Sequence, residues 1–387
     1  MKIVHICLAC FYIDGMGYQE NILPKYHAQN HEVFIITSDY SFDAKGTETK
    51  RSLREYTNEY GIPVKVLERN TQKKLLSRYK LFNGLYEALE QYAPDIIFCH
   101  GGQFVSLKDV VIYCKKHPTV KLFIDQHGDY YNTPVNSFRK RMGQSLIVGH
   151  WMRKAVPYTE KFWGVTPWRC TYLNDVYKIP QNKIDLLPMG GDDEKIHFKN
   201  RDEIRHAIRS KYNIAEDDLL LITGGKIDSA KQIDLLMEAI IRLNCDNVKL
   251  LVFGQPTDGM KEKIETLAQD SHIRFIGWIP ADTVYDYFLA SDLAVFPGTH
   301  SVLWEQACAC GLPGIFRDWE GMHHVDVGGN ALFLHRDSSE EMKEVLWNLV
   351  QNPEKLRFMK EVAETKGIPT FSYRRIAQKA ILEDTKT

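Results

Sequence analysis

Short apolar runs alternate along this chain with longer stretches whose apolar positions recur at helical spacing. In the first half the runs are residues 3–7, 33–37, 64–67, 95–99, 121–126 and 184–187. Most are dominated by Ile, Val, Leu and Phe, which is the pattern of a strand covered on both faces. Helical stretches separate them, 73–92 for example. Pro188-Met189-Gly190-Gly191 and a charged stretch to about residue 218 then interrupt the pattern. It restarts with strands predicted at 219–223, 249–253, 274–276, 293–296 and 314–316, each followed by a helix-length segment. The chain closes on helices predicted at 339–351, 353–366 and 371–383 with no strand between them. Strand and helix in regular alternation predict an α/β fold of two doubly wound domains facing a cleft. The expected division is 1–195, 196–366 and a C-terminal helix, 367–387, returning toward the first domain. No internal repeat or low-complexity tract is present.

Composition narrows the functional classes. The 387 residues are 44% apolar and 26% charged, which excludes a single small module and a disordered chain. Formal net charge is −1, but the halves differ, with +5 over 1–195 and −6 over 196–387. Such a balance gives no sign of a nucleic-acid partner. Residues 1–7 are too soon interrupted to read as a signal peptide, and no window holds 18 consecutive apolar residues, so a cytosolic chain is expected. The eight cysteines are scattered, most within apolar runs, where a free thiol packs as a small hydrophobe. Cys7-Leu8-Ala9-Cys10 has redox-pair spacing without a second pair or a suitably spaced His.

Candidate chemistry lies in the loops after the strands. Gly15 and Gly17 precede a helix, where glycine lets backbone N–H groups approach an anion; a turn without a ligand has the same composition. After 219–223 come Gly224-Gly225-Lys226 and then Lys231, two ammonium groups able to neutralise a diphosphate, or simply two solvated lysines. The strongest feature runs Phe296-Pro297-Gly298-Thr299-His300-Ser301-Val302-Leu303-Trp304-Glu305 and on to Gly311-Leu312-Pro313. Ser301 is expected as N-cap, with the N–H groups of Val302 and Leu303 free to meet a phosphate or sugar oxygen. Glu305 sits one turn into an otherwise apolar helix, where a carboxylate needs a partner: a ribose diol, or a lysine in the plainer reading.

These pieces, in this order, together with Arg274-Phe275-Ile276-Gly277-Trp278 and the segment 290–297, resemble the family 4 retaining glycosyltransferases of GT-B fold over nearly the whole chain. Gly225-Lys226 and Lys231 stand where the family has Gly-Arg and a Lys five residues on. Glu305-Gln306-Ala307-Cys308-Ala309-Cys310-Gly311-Leu312-Pro313 matches its Glu-Ala-Met-Ala-Cys-Gly-Leu-Pro run. Pro188-Met189-Gly190-Gly191-Asp192 resembles its hinge, and Asn30-His31-Glu32-Val33 its Gly-His-Glu-Val. The resemblance implies that Glu305 binds the nucleotide ribose and that His127, within Phe123-Ile124-Asp125-Gln126-His127-Gly128-Asp129, lies beside the donor sugar. His100, in His100-Gly101-Gly102 after the preceding strand, is a second cleft candidate, and His100 and Asp129 are the residues expected to bind the acceptor. The family's second Glu, eight residues before the first, is Pro297 here, and His300 is the nearest side chain to take over sugar contact, or else caps the helix. Front-face attack assisted by the leaving diphosphate needs no dedicated nucleophile, so Lys226 and Lys231 would carry the charge stabilisation. No metal or other cofactor is implied, and His323-His324-Val325-Asp326 fits no standard zinc spacing.

The implied function is transfer of a sugar from a nucleoside diphosphate, UDP by family frequency, to a glycan or lipid-linked acceptor in surface polysaccharide assembly. A sugar-nucleotide epimerase of the same fold and a noncatalytic sugar-nucleotide-binding subunit are the alternatives. Basic residues mixed with apolar ones at 69–82 and 138–154 suit peripheral contact with the inner face of the plasma membrane, or equally a solvated helix face.

Overall fold

A computed structural model describes residues 1–42, 47–72, 79–130 and 144–383. They divide into two units, Met1–Pro188 with Ile376–Thr387, and Met189–Arg375. The first boundary falls at Pro188 rather than residue 195, and the chain re-enters the first unit at Ile376 rather than at 367. The return begins inside the last helix, Tyr373–Ala380, because Ala377 and Ala380 are the residues whose carbonyls the first unit binds.

The first unit holds β1 (Lys2–Cys7), β2 (Glu32–Ser38), β3 (Tyr40–Phe42), β4 (Glu48–Lys50), β5 (Glu55–Thr57), β6 (Pro63–Leu67), β7 (Ile96–Cys99), β8 (Lys121–Gln126), β9 (Thr159–Gly164) and β10 (Ile184–Leu186). Eight of these form one sheet, ordered β10-β9-β8-β7-β1-β2-β6-β5, parallel except for β5 against β6. β3 and β4 pair separately as an antiparallel ribbon. Val4 and Ile6 of β1, Ile97 and Cys99 of β7 and Leu122 and Ile124 of β8 face one way, into a core closed by helices Leu85–Tyr92, Leu107–Lys116, Gly149–Ala155 and Pro167–Tyr177. With a period of two, His5 must face the other way, where it meets Phe98 and the helix Gln19–His27. Thr166 starts the helix Pro167–Tyr177 by accepting from the Arg169 N–H, with Pro167 supplying the first helical φ.

The second unit holds β11 (Leu219–Ile227), β12 (Val248–Pro256), β13 (Ile273–Gly277), β14 (Leu293–Phe296), β15 (Gly314–Arg317) and β16 (Ala331–Leu334), all parallel in the order β13-β12-β11-β14-β15-β16. Leu236, Met237 and Ile240 of the helix Ile233–Leu243 seal one face together with Met342, Leu346 and Leu349. In each sheet the strand order reverses next to its first strand, between β1 and β7 and between β11 and β14. Loops leaving the strands there splay apart and leave room for a ligand.

Three expectations need correction. Of the stretch 73–92 expected as helix, the described residues 79–84 are turn, bridge and bend, with Phe82 bridging Arg69 as a strand would, and a helix begins at Leu85 after Gly84 at φ +82°; 73–78 lie outside the described residues. β9 opens on Thr159-Glu160-Lys161, polar enough to hide a central strand, and β16 is only 4 residues long. The final helix is broken at Ser372 into Ile368–Phe371 and Tyr373–Ala380.

β11 and β12 stay paired to their last residues only because Gly254 is a glycine: its φ is +121°, and a Cβ there would lie 1.8 Å from the Gly225 carbonyl oxygen. Gly254→Ala is expected to destabilise the second unit by about 3 kcal/mol, whereas Gly259→Ala, in open space on the helix Asp258–Leu267, should leave it unchanged or gain about 0.5 kcal/mol. Calorimetric melting of the two variants checks this; equal transitions would remove the steric role of Gly254.

Candidate active site

At the β11/β14 reversal of the second unit, the loop after Phe296 is pressed onto the turn after β11. A Cβ on Gly298 would lie 2.2 Å from the Ala230 carbonyl oxygen, so only glycine fits, and the Thr299 N–H donates to that same carbonyl at 2.9 Å. Asp228 caps the turn through the Ala230 N–H at 3.1 Å. Lys231, at the end of the turn, donates to the carbonyls of Thr299 (2.6 Å) and His300 (3.2 Å). Burial lowers its pKa, so the ammonium is a desolvated charge with one further N–H to give. Lys226 differs: its side chain is 72% exposed, and its ammonium stands 3.7 Å from Asp228. Gly225, at φ +110°, lies against the first turn of the helix Leu303–Ala309, with Leu303 Cδ1 3.1 Å from where its Cβ would be.

Ser301 does not cap that helix. Val302 occupies the cap position without a side-chain bond, and Ser301 contributes only its carbonyl, to the Trp304 N–H at 3.0 Å. Glu305 is fully buried. Its Oε1 accepts from His300 Nε2 at 2.8 Å and His324 Nε2 at 2.9 Å, while Oε2 has no partner. Burial pushes such a carboxyl up, but the two imidazoles outweigh it and hold Glu305 well below the usual carboxylate range. Among the described residues no lysine meets this carboxylate, and burial keeps open solvent from it. His300 therefore serves Glu305 rather than the helix end, and His324 is a site residue that its spacing in the sequence did not reveal.

The first unit builds a second carboxylate centre where β1, β7 and β8 end. Asp125, buried at the end of β8, accepts from the Gly101 N–H on Oδ1 at 2.7 Å and meets two imidazoles on Oδ2, His127 Nε2 at 3.1 Å and His100 Nδ1 at 3.2 Å. Burial opposes charge here too, yet His127 and His100 hold Asp125 well below the carboxylate range. For His127, burial lowers the pKa and the Asp125 carboxylate more than restores it, leaving it raised. Behind His100 the contacts continue: His100 Nε2 to His5 Nδ1 at 3.0 Å, His5 Nε2 to His27 Nδ1 at 3.0 Å, and His27 Nε2 to the Ala377 carbonyl at 2.7 Å. Asp129 is buried against Arg169 at 3.1 Å. Gly15, at φ +77°, gives its N–H to Glu59 at 2.8 Å, and neither it nor Gly17 has an atom within 4 Å of an added Cβ.

Among the basic residues expected at a membrane, Lys80 is buried with its ammonium on the Ala9 carbonyl, and Arg153 bonds the carbonyls of Tyr177 and Ser145. Both are spent inside the fold. Lys73, Lys74, Arg78 and residues 138–142 lie outside the described residues. No helix among the described residues is long and apolar enough to cross a membrane.

Comparison with known proteins settles what class of scaffold carries these centres. The family described as Glycosyltransferase Family 4 matches residues 18–195, and Glycosyl transferases group 1 matches 204–366. The chain belongs to the family 4-type glycosyltransferases and shares their two-domain GT-B fold. Alpha-galactosylglucosyldiacylglycerol synthase of Streptococcus pneumoniae is 24% identical over 194 residues, 48% of this chain and 50% of that protein. The chain thus spans about half the length of the curated relatives it matches. A glycosyltransferase from Rickettsia africae has the same fold at 17% identity and TM-score 0.67, covering 98% of this chain and 96% of its own. HepE of Anabaena, solved with UDP and glucose, follows at 15% identity and TM-score 0.64, covering 98% of each chain.

In this family 4-type chain both carboxylate centres bring three metal-capable atoms within 4.8 Å of one another: His100, Asp125 and His127, and His300, Glu305 and His324. In each, the shared carboxylate oxygen meets both imidazoles, so the donors already have acceptors. Glu305→Gln is expected to lower stability by about 2 kcal/mol at pH 7, because two imidazole N–H groups in a dry site lose a charged acceptor. The folded carboxyl titrates below the unfolded one, so this contribution is complete above about pH 4.3 and is lost as pH falls below it. Denaturant unfolding of both proteins should show a constant gap from pH 7 to about pH 5 that closes as the pH is taken from there toward about 2; a gap that widens on acidification would refute the charged pairing.

Proposed function

We propose that this chain moves a sugar from a nucleoside diphosphate, UDP in the first instance, to a glycan or lipid-linked acceptor with retention at the anomeric carbon. The observation that carries the reading is Lys231: a partly desolvated ammonium anchored by two backbone carbonyls at the reversal point of the second unit, with a third N–H to spare. A diphosphate leaving group gains negative charge as the glycosidic bond breaks, and a preorganised cation placed before the reaction stabilises that charge without reorganising. Lys226, exposed beside Asp228, adds a second cation within reach of the phosphates. Glu305 takes the ribose through Oε2, the oxygen the two imidazoles leave unpaired. His127 is the polar contact to the sugar; Asp125 holds its Nε2 and so fixes the ring. His100 and Asp129 support the acceptor side through these contacts. No metal or cofactor takes part in the proposed reaction.

UDP and glucose on HepE, and a glycolipid synthase among the relatives, support the donor and acceptor classes. A peripheral position on the inner face of the plasma membrane would suit a lipid-linked acceptor.

Calorimetric titration with UDP, GDP and ADP should give micromolar binding of one nucleotide, weakened by roughly 1 to 3 kcal/mol in Glu305→Gln. His127→Ala should cut kcat on a UDP-sugar far more than it weakens UDP; equal losses would remove His127 from the sugar. A new UDP-sugar formed without free UDP would make the chain an epimerase. Nucleotide binding without turnover across a broad acceptor panel would make it a binding subunit, a reading that Pro297 at the donor-side position favours.

A further inference from the structure

We infer that the buried chain His27, His5, His100 and Asp125 holds one proton more than its neutral imidazoles can supply, and that this stored proton makes the three histidines positioning residues that set the charge on His127. The inference goes beyond the transfer reading and does not depend on it.

The count is forced by the two ends. At one end is the Ala377 carbonyl, which can only accept; at the other is Asp125, whose carboxylate also accepts from Gly101 and faces His127. Between these ends lie four contacts, Ala377 to His27, His27 to His5, His5 to His100 and His100 to Asp125. Each contact needs one proton, and three neutral imidazoles carry three. If every ring donates toward Ala377, His100 Nδ1 and Asp125 Oδ2 face each other as two acceptors. If every ring donates toward Asp125, the same conflict moves to His27 Nε2 and the Ala377 oxygen. A buried contact between two acceptors is costly in a dry interior. One added proton removes it.

The added proton belongs at the His100 end. Desolvation lowers His5 strongly and lowers His27 to about 4, so neither is the cation, while the only carboxylate in the chain touches His100. The other groups facing the chain do not replace it. Cys7, Cys10 and Cys99 near Asp125 are held as neutral thiols, chiefly by burial for Cys7 and Cys99. His31, paired with Glu383, lies beyond His27. Glu20 and Arg169 act on His127 with opposite signs.

The consequence reaches His127 through Asp125. With His100 cationic, the carboxylate is already compensated and draws a second proton onto His127 less strongly. Without that cation, His127 faces a bare buried carboxylate and must hold its proton to higher pH.

The test uses the full chain carrying 15N-histidine, with two-bond 1H–15N correlation spectra near pH 7. The expected pattern is His100 protonated on both nitrogens, and His5 and His27 neutral with the proton on Nε2. His5→Phe leaves two contacts and two imidazoles, so the count closes without a cation: His100 should become neutral and the His127 titration should move up by about one pH unit. His27→Phe repeats the first result at the other end of the chain should His5→Phe fail to fold. A neutral His100 in the unsubstituted protein, or a His100 that stays protonated on both nitrogens in His5→Phe and His27→Phe, would overturn the proposal. Loss of activity alone would bear on the transfer reading and not on this count.

Discussion

A carboxylate removed from water must collect hydrogen-bond donors, and each unit of this protein is organised around one such group. Asp125 in the first unit and Glu305 in the second are both fully buried, and each meets two imidazoles on a single oxygen. Burial would neutralise either carboxyl if it stood alone. The imidazoles reverse that balance, so two fixed negative charges persist inside the fold and orient four histidine rings between them. The remaining oxygen differs: Asp125 Oδ1 is taken by the Gly101 N–H, whereas Glu305 Oε2 is left unpaired. The first arrangement is closed on itself, and the second has capacity to spare.

Both centres stand where the sheets place them. Parallel strands bury both faces and leave polar groups only at their ends, and the ends diverge where the strand order reverses. His100, Asp125 and His127 follow or close β7 and β8 beside β1, and Lys231, His300 and Glu305 follow β11 and β14. Glycine decides how closely the loops can pack there. Gly298 lies on the Ala230–Lys231 backbone and Gly254 on the Gly225 carbonyl, contacts that leave no space for a side chain. Close packing also explains why Lys231 is anchored while Lys226, on the same strand end, remains in solvent.

Legibility in the sequence followed burial. A strand covered on both faces, such as β14, appears as an unbroken apolar run whose limits coincide with the observed ones. β9 was hidden because its first three residues are polar, and 79–84 read as helix because neither glycine nor proline breaks the apolar and basic pattern there until Gly84. Ser301 had the composition of a cap, but the loop clamped to Ala230 carries the chain on to Val302 before the helix begins.

The order of strands and helices, the two-domain scaffold and the glycine, lysine and glutamate positions at the strand ends were determined by the sequence alone, because each depends on local periodicity or on residues close together along the chain. The partners of those residues were decided only by tertiary structure. His324 reaches Glu305 from 19 positions away, and His100, His5, His27 and Ala377 form one hydrogen-bonded line although 350 positions separate His27 from Ala377. Such contacts leave no periodic trace, since a buried histidine satisfies its nitrogens with whatever the folded chain brings within 3 Å or so of them.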